Sequence, residues 1–256
     1  MILAAIEKRI NLDEKHLFCC YIGEKCAIRR GGVESDDKAL CHRLVKVLRF
    51  QAGKQCIFFD ACHVYYVELE TCSSSRIVGS VISCKPIKIP ERPVNCILPL
   101  LEKQYLESAL YACAQYGMRE IRIAICERSH RTWGKYAKDW ERARAILVAA
   151  CEQSKQFNIP TLFPEFIQST DIEVRNGMLL VPEMGGQSLF DTVASLRKEP
   201  SLPITFTCGP EAGFTTQERA FLIEKRAVFV SLGSAILRSS DVVAFLGGIT
   251  RVLLNS

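Results

Sequence analysis

The stretch best suited to chemistry is TCGPEAGFTTQE, residues 207–218. It leaves an apolar run, PITFTC, and enters a helical pattern, TTQERAFLIEKR. Two glycines around one acidic residue let a backbone approach a ligand closely. They suit a tight turn equally well. Thr215 and Glu218 have capping-box spacing, so the helix is expected to begin at Thr215. Such a start presents free N–H groups, yet GPEAGF matches neither GxxxxGK[ST] nor GxGxxG, and no lysine follows. Glu211 therefore suits a cationic, ribose-bearing or donor-rich ligand better than a phosphate, or else it only favours the helix dipole. Two other corners carry glycine: PEMGGQS after MLLV, with Gly185 and Gly186, and LGSAILRSS after VFVS, with Gly233 and Arg238.

The elements that must position these corners follow from periodicity. From residue 94 onward strands and helices alternate. NCILPL, IRIAIC, TLF, MLLVP, PITFTC and AVFVS read as strands. Helices are expected over 102–117, closed by Gly117, over 139–155, over SLFDTVASLR, from Thr215, and over 239–254. This alternation implies an α/β fold, a parallel sheet covered by helices. Ligands of open α/β sheets lie beyond the carboxyl ends of strands, where the three glycine corners fall. Residues 1–84 read differently. KQCIFFD, VYYVELE and RIVGSVISC are strand-like, and one helix over 36–50 places Leu40, Leu44, Val47 and Leu48 on one face. A small β-barrel with one helix fits. Pro86, Pro90 and Pro93 make 85–93 an extended linker to the second domain, 94–256.

The 256 residues carry a net charge of +5, compatible with a nucleic-acid partner without requiring one. No uncharged stretch approaches membrane-span length, and MILAAIEKR lacks the basic start and long apolar run of a secretory leader. A cytoplasmic protein with reduced thiols is expected. The 13 cysteines include no CxxC pair and mostly sit in apolar runs, so they read as small buried hydrophobes and no metal is expected.

A set of segments, taken together, resembles one family. GPEAGFTTQE is similar to the GPEGGFxxxE loop of the ribosomal RNA small subunit methyltransferase E family, which methylates uridine N3. LGSAILRSSD resembles its LGxxILR loop, CEQSKQ its EQSxR segment and CERSHR its SERS. CHRLVKVLRFQAGKQCIFFD resembles its HxxxVLR…GD…LFD stretch. The segments occur in the family's order across both domains. The resemblance implies a PUA-like β-barrel over 1–84 and a SPOUT-type knotted parallel sheet with helices on both faces over 94–256. It implies S-adenosyl-L-methionine as methyl donor, small-subunit (16S) ribosomal RNA or the assembled subunit as partner, and a homodimer. Carried over by motif, the donor lies on Val181, Pro182, Glu183, Gly209, Glu211, Gly213, Leu232, Gly233, Ile236 and Leu237. Four positions depart from the family pattern: Ala112, Ala212, Ala235 and Ser240. A second reading is therefore a catalytically weakened, RNA-binding ribosome-assembly factor of the same fold.

Methylating uridine N3 requires removing its imide proton and stabilising the resulting anion. Arg238 is the candidate for the anion or a target phosphate; its alternative is a salt bridge to Asp241. Asp241 or Glu211 is the candidate base. For RNA the candidates are Arg43, Lys46 and Arg49, with Arg128, Arg131 and Lys135 in the second domain. Trp133 and Trp140 lie among the latter, either to stack on bases or to pack beneath a solvated helix.

Overall fold

A computed structural model describes residues 17–254 apart from 24, 30, 131, 132, 135, 136 and 175. The chain forms two compact units, the first ending at Ile87 and the second beginning at Lys88. Lys85 and Pro86 still belong to a strand, so the proline-rich segment begins inside the first unit's sheet.

The first unit contains β1 (Cys19–Tyr21), β2 (Ala27–Arg29), β3 (Gly32–Ser35), α1 (Lys38–His42), β4 (Gln55–Phe59), β5 (His63–Cys72) and β6 (Ile77–Pro86). Its sheet has the order β1-β4-β5-β6-β3-β2. The expected barrel is not closed. β1 and β2 are the two ends of the sheet, and no ladder joins them among the described residues. Each end strand has three residues. Register shifts between Tyr66 and Val67 and between Leu69 and Thr71 bend the long β5–β6 pair over a core that includes Phe58, Val67, Leu69 and Ile77.

Asp37 caps α1, accepting the Leu40 N–H at 2.7 Å. The helix then widens into a π-helical turn at Arg43–Val47, where the Leu48 N–H reaches the Arg43 carbonyl at 2.9 Å. The extra residue in that turn rotates the side chains beyond it. Leu40 and Leu44 are buried as expected, but Val47 leaves the apolar face and is 64% exposed.

The second unit contains β7 (Val94–Pro99), α2 (Lys103–Gln115), β8 (Glu120–Ile125), α3 (Ala137–Ser154), β9 (Thr161–Gln168), β10 (Met178–Ser188), α4 (Leu189–Leu196), β11 (Ile204–Thr207), α5 (Thr216–Glu224), β12 (Val228–Ser231) and α6 (Ser239–Leu254). Its sheet runs β12-β10-β11-β7-β8-β9, and every pairing is parallel. Strand alternation divides the core. Ile97 packs in a cluster with Ala124, Leu179, Val181 and Leu222 of α5. Its neighbour Cys96 points the other way, to Cys113 of α2. α2 in turn packs against α3 and α6. Gly117, at φ 74°, ends α2 as expected.

β10 departs most from expectation. The PEMGGQS segment, read as a corner, lies inside the strand. Pro182 and Gln187 both sit opposite Val230, so Glu183 to Gly186 bulge out and the strand resumes. Gly186 has to be glycine, because a Cβ there would lie 2.7 Å from the Val230 carbonyl carbon.

Candidate functional site

The three corners converge. A cavity of about 580 Å³ is lined by Pro182 and Glu183 of the β10 bulge, by Cys208 to Phe214 after β11 (Ala212 excepted), and by Ile236 to Ser240 and Val242. Tyr105 of α2 and Arg219 of α5 complete its wall. A smaller cavity of about 120 Å³ continues between Pro182–Met184 and Leu232, Gly233, Ala235, Ile236 and Leu237. All the expected donor-binding residues except Val181 line one or both. Val181 is buried in the core beneath them, at 1% exposure.

Local chemistry explains the shape of the central loop. Gly213, at φ 71°, closes a turn in which its N–H reaches the Pro210 carbonyl at 2.8 Å. A Cβ on Gly209 would lie 2.9 Å from the Phe214 nitrogen, so the chain folds back onto itself there. Ser239 Oγ donates to the Gly209 carbonyl at 2.7 Å. Arg128 Nη1 donates to the Ala212 carbonyl at 2.8 Å. The Glu211 carboxylate accepts the Glu102 N–H at 3.2 Å, at the start of α2. Glu211 thus serves a helix N-terminus, though of a different helix from the one its sequence neighbours begin.

The capping box is present in both directions, Glu218 N–H to Thr215 Oγ1 at 3.3 Å and Thr215 N–H to Glu218 Oε2 at 2.8 Å. Glu218 does more than the sequence indicates. Its Oε1 also accepts from Ser169 Oγ at 2.6 Å and from the Glu127 N–H at 2.9 Å. The residue is only 4% exposed. Burial pushes its carboxyl up, but the hydrogen bonds from Ser169, Thr215 and Glu127 together outweigh it and hold the group below its ordinary range. One carboxylate therefore ties α5 to the loop that carries Arg128.

The other candidates are spread more widely. Arg238 is exposed at the cavity wall, its guanidinium 5.6 Å from the centre of the Tyr105 ring. It makes no ion pair with Asp241 among the described residues. Asp241 lies on the exposed side of the first turn of α6, outside both cavities, with Ser240 Oγ 3.5 Å from its Oδ1. Arg43 is half-buried, and Lys46 and Arg49 are exposed on the first unit. Arg131 and Lys135 lie outside the described residues. Trp133 is no platform for bases: it is 3% exposed, with Trp140 at 4.9 Å and Phe166 at 6.5 Å between ring centres. Arg142, in the same basic segment, donates to Glu107 at 2.8 Å. Sequence reasoning missed Arg219 and Tyr105, since neither belongs to a glycine corner.

All 13 cysteines are free, and most are buried, as expected; Cys62 and Cys84 are exposed. No metal-binding cluster of three acidic, histidine or cysteine residues occurs among the described residues, and no described helix is long and apolar enough to cross a membrane.

The chain is similar to known proteins. Ribosomal RNA small subunit methyltransferase E of Mycobacterium bovis is 27% identical over 172 residues, which span 64% of this chain and 64% of that relative. The namesake of Synechocystis is 26% identical over 212 residues, spanning 78% of this chain and 67% of its own length. The crystal structure of the Neisseria gonorrhoeae protein of that name, bound to S-adenosyl methionine, superposes with a TM-score of 0.79 at 23% identity over 93% of this chain and 98% of that one. The model of the RNA methyltransferase domain matches residues 89–247, which takes in every strand of the second sheet and both cavities. Because that match covers well over half of the chain, the protein belongs to the RNA methyltransferase domain family.

Proposed function

We propose that the protein transfers a methyl group from S-adenosylmethionine to N3 of a uridine in small-subunit ribosomal RNA. The observation that carries this reading is the meeting of three corners, at residues 182–183, 208–214 and 236–242, around one cavity. The cavity's fit to the donor supports it. At about 580 Å³ it lies within the range of roughly 300–1,000 Å³ usual for small-molecule sites. Glu211 contributes a carboxylate to its wall, the sign of charge that a sulfonium favours. The smaller cavity, walled by Pro182, Leu232, Ile236 and Leu237 and by the backbone at Gly233, suits a flat purine.

When bound, the donor supplies an electrophilic methyl group. The protein's part is placement and charge. Gly209 and Gly213 keep the loop close enough for its backbone to meet a nucleoside, while Ser239 and Arg128 fix the loop's carbonyls. Of the two candidate bases only Glu211 faces the cavity, so Glu211 takes the N3 proton in this reading. Arg238, exposed beside Tyr105, offsets the charge that then spreads onto the uracil oxygens or holds the adjoining phosphate. On the second unit Arg128 is a further cation for RNA, with Arg131 and Lys135 as candidates from the sequence, and on the first unit Arg43, Lys46 and Arg49 are the candidates.

The reading includes the trefoil knot, a homodimer and the cytoplasm. β11 and β12 flank β10 on opposite sides and send their corners to one cavity, which supports the knot. Exposed Phe190, at 78%, and Ile236, at 85%, support a partner subunit. The free cysteines support a reducing compartment.

The test is methyl transfer to small ribosomal subunits isolated from cells lacking this protein, read by mass spectrometry of nucleosides. N3-methyluridine is expected with the wild type, and Arg238→Ala should lose about 100-fold or more in rate while keeping its oligomeric state. Unchanged nucleosides refute the proposal; subunit binding without transfer selects the assembly-factor reading.

A further inference from the structure

The proposed donor cavity contains a charged pair that the glycine corners do not account for. Arg219, in the first turns of α5, donates from Nε to Glu183 Oε1 at 2.7 Å and from Nη2 to Oε2 at 2.9 Å. Both residues line the larger cavity. The Arg219 guanidinium lies over the Phe229 ring, 4.9 Å from its centre. The side chains are 48% and 33% exposed. An ion pair this open to water contributes little to folding, so its partners can be exchanged at small cost.

The other charged groups of the wall are already engaged differently. Glu211 accepts a helix N–H, and Arg238 lies over an aromatic ring. Only the Arg219–Glu183 pair presents opposite charges side by side. A ligand group that replaces both halves at once must itself carry adjacent charges of both signs.

We propose that Arg219 and Glu183 form a subsite for an α-amino-acid group, its carboxylate on the guanidinium fork and its ammonium on Glu183. The proposal rests on the reading of the cavity as a donor site, where this group is the methionine end of S-adenosylmethionine. A zwitterion substitutes for the resident pair one charge at a time: the carboxylate takes over both donors of the fork, and the ammonium keeps Glu183 compensated. A nucleoside without that end leaves the pair closed and gains nothing from it. The pair thus selects donors with an intact amino-acid end. Arg219 is a specificity-determining residue, outside the three corners that hold the nucleoside.

The test is calorimetric titration of the wild type and Arg219→Gln with three probes: S-adenosylmethionine, its decarboxylated analogue, and 5′-methylthioadenosine. The wild type should bind the decarboxylated analogue at least tenfold more weakly than the parent. Arg219→Gln should bind the parent at least tenfold more weakly than the wild type does, and should no longer distinguish the two. Both proteins should bind 5′-methylthioadenosine within twofold of one another, which also shows that the variant's cavity is intact. The proposal is overturned if Arg219→Gln keeps the preference for the carboxylate, or if it weakens 5′-methylthioadenosine as much as the parent. A wild type that binds all three probes equally keeps the donor cavity and refutes the subsite. A wild type that binds none refutes the donor cavity and the subsite with it.

Discussion

Replacing Glu218 by alanine tests whether one buried carboxylate holds the loops around the larger cavity together. The change removes the acceptor for Ser169 Oγ, the Thr215 N–H and the Glu127 N–H, at 2.6, 2.8 and 2.9 Å. A buried donor left without a partner costs about 1–3 kcal/mol. Water can enter part of the space the side chain vacates, so the three together should cost about 3–4 kcal/mol. For a folding unit of this size each kcal/mol shifts the midpoint by roughly 2–4 °C, giving a fall of roughly 6–16 °C. Glu218→Gln keeps one acceptor oxygen and should lose about half as much. The measurement is unfolding followed by fluorescence and circular dichroism, by heat and by denaturant. The acid limb supplies a second reading. The folded-state carboxyl is held below its ordinary 4.5. Its contribution is therefore complete above that value and is lost as pH falls through the folded-state pKa. Glu218→Ala should flatten the wild type's loss of stability below about pH 4.5. If the alanine variant unfolds within about 0.5 kcal/mol of the wild type, the carboxylate is not the tie described.

Two further substitutions probe neighbouring features. Gly186→Ala places a Cβ 2.7–2.8 Å from the backbone at Phe229 and Val230, and should cost about 1–3 kcal/mol in denaturant unfolding and shift the wall of the proposed donor cavity, read as weaker binding of S-adenosylmethionine. Trp133→Ala empties a site shared with Trp140 and Phe166, and should cost about 3–5 kcal/mol with loss of near-ultraviolet dichroism; a stable variant impaired only in RNA binding would restore the stacking role that burial argues against.

The features legible in the sequence were mostly local. The capping box at Thr215 and Glu218 needs a spacing of three residues, and both of its bonds are present. Gly117 and the strand–helix alternation are equally short-range signals. The same Glu218 shows where reading stops: its remaining partners lie 49 and 91 residues away, and nothing near it in the chain names them. The tryptophans posed a choice between stacking and burial that only tertiary packing could make. The π turn at Arg43–Val47 defeated a 3.6-residue period by one residue, enough to turn Val47 outward. Gly185 and Gly186 signalled a corner, whereas β10 leaves its ladder for four residues and returns, because Gly186 lets β12 pass at close range. Asp241 was a candidate base by its place in the motif, but its position outside both cavities depends on the packing of α6 and could not be read from the chain. Arg219 gave no signal, since its meaning depends on Glu183, 36 residues earlier.

The order of strands in the second sheet bears on how the chain is made. β11 lies between β10 and β7, and its Thr207 hydroxyl donates to the Ile97 carbonyl 110 residues earlier. At a synthesis rate of about 5–20 residues per second, the inner edge of β7 waits roughly 5–20 s for its permanent neighbour. During that interval a nascent chain exposes an unpaired strand edge, whose backbone N–H and C=O groups other chains can pair with. Slower translation beyond β7 lengthens the wait, and an assisting chaperone would act in this window.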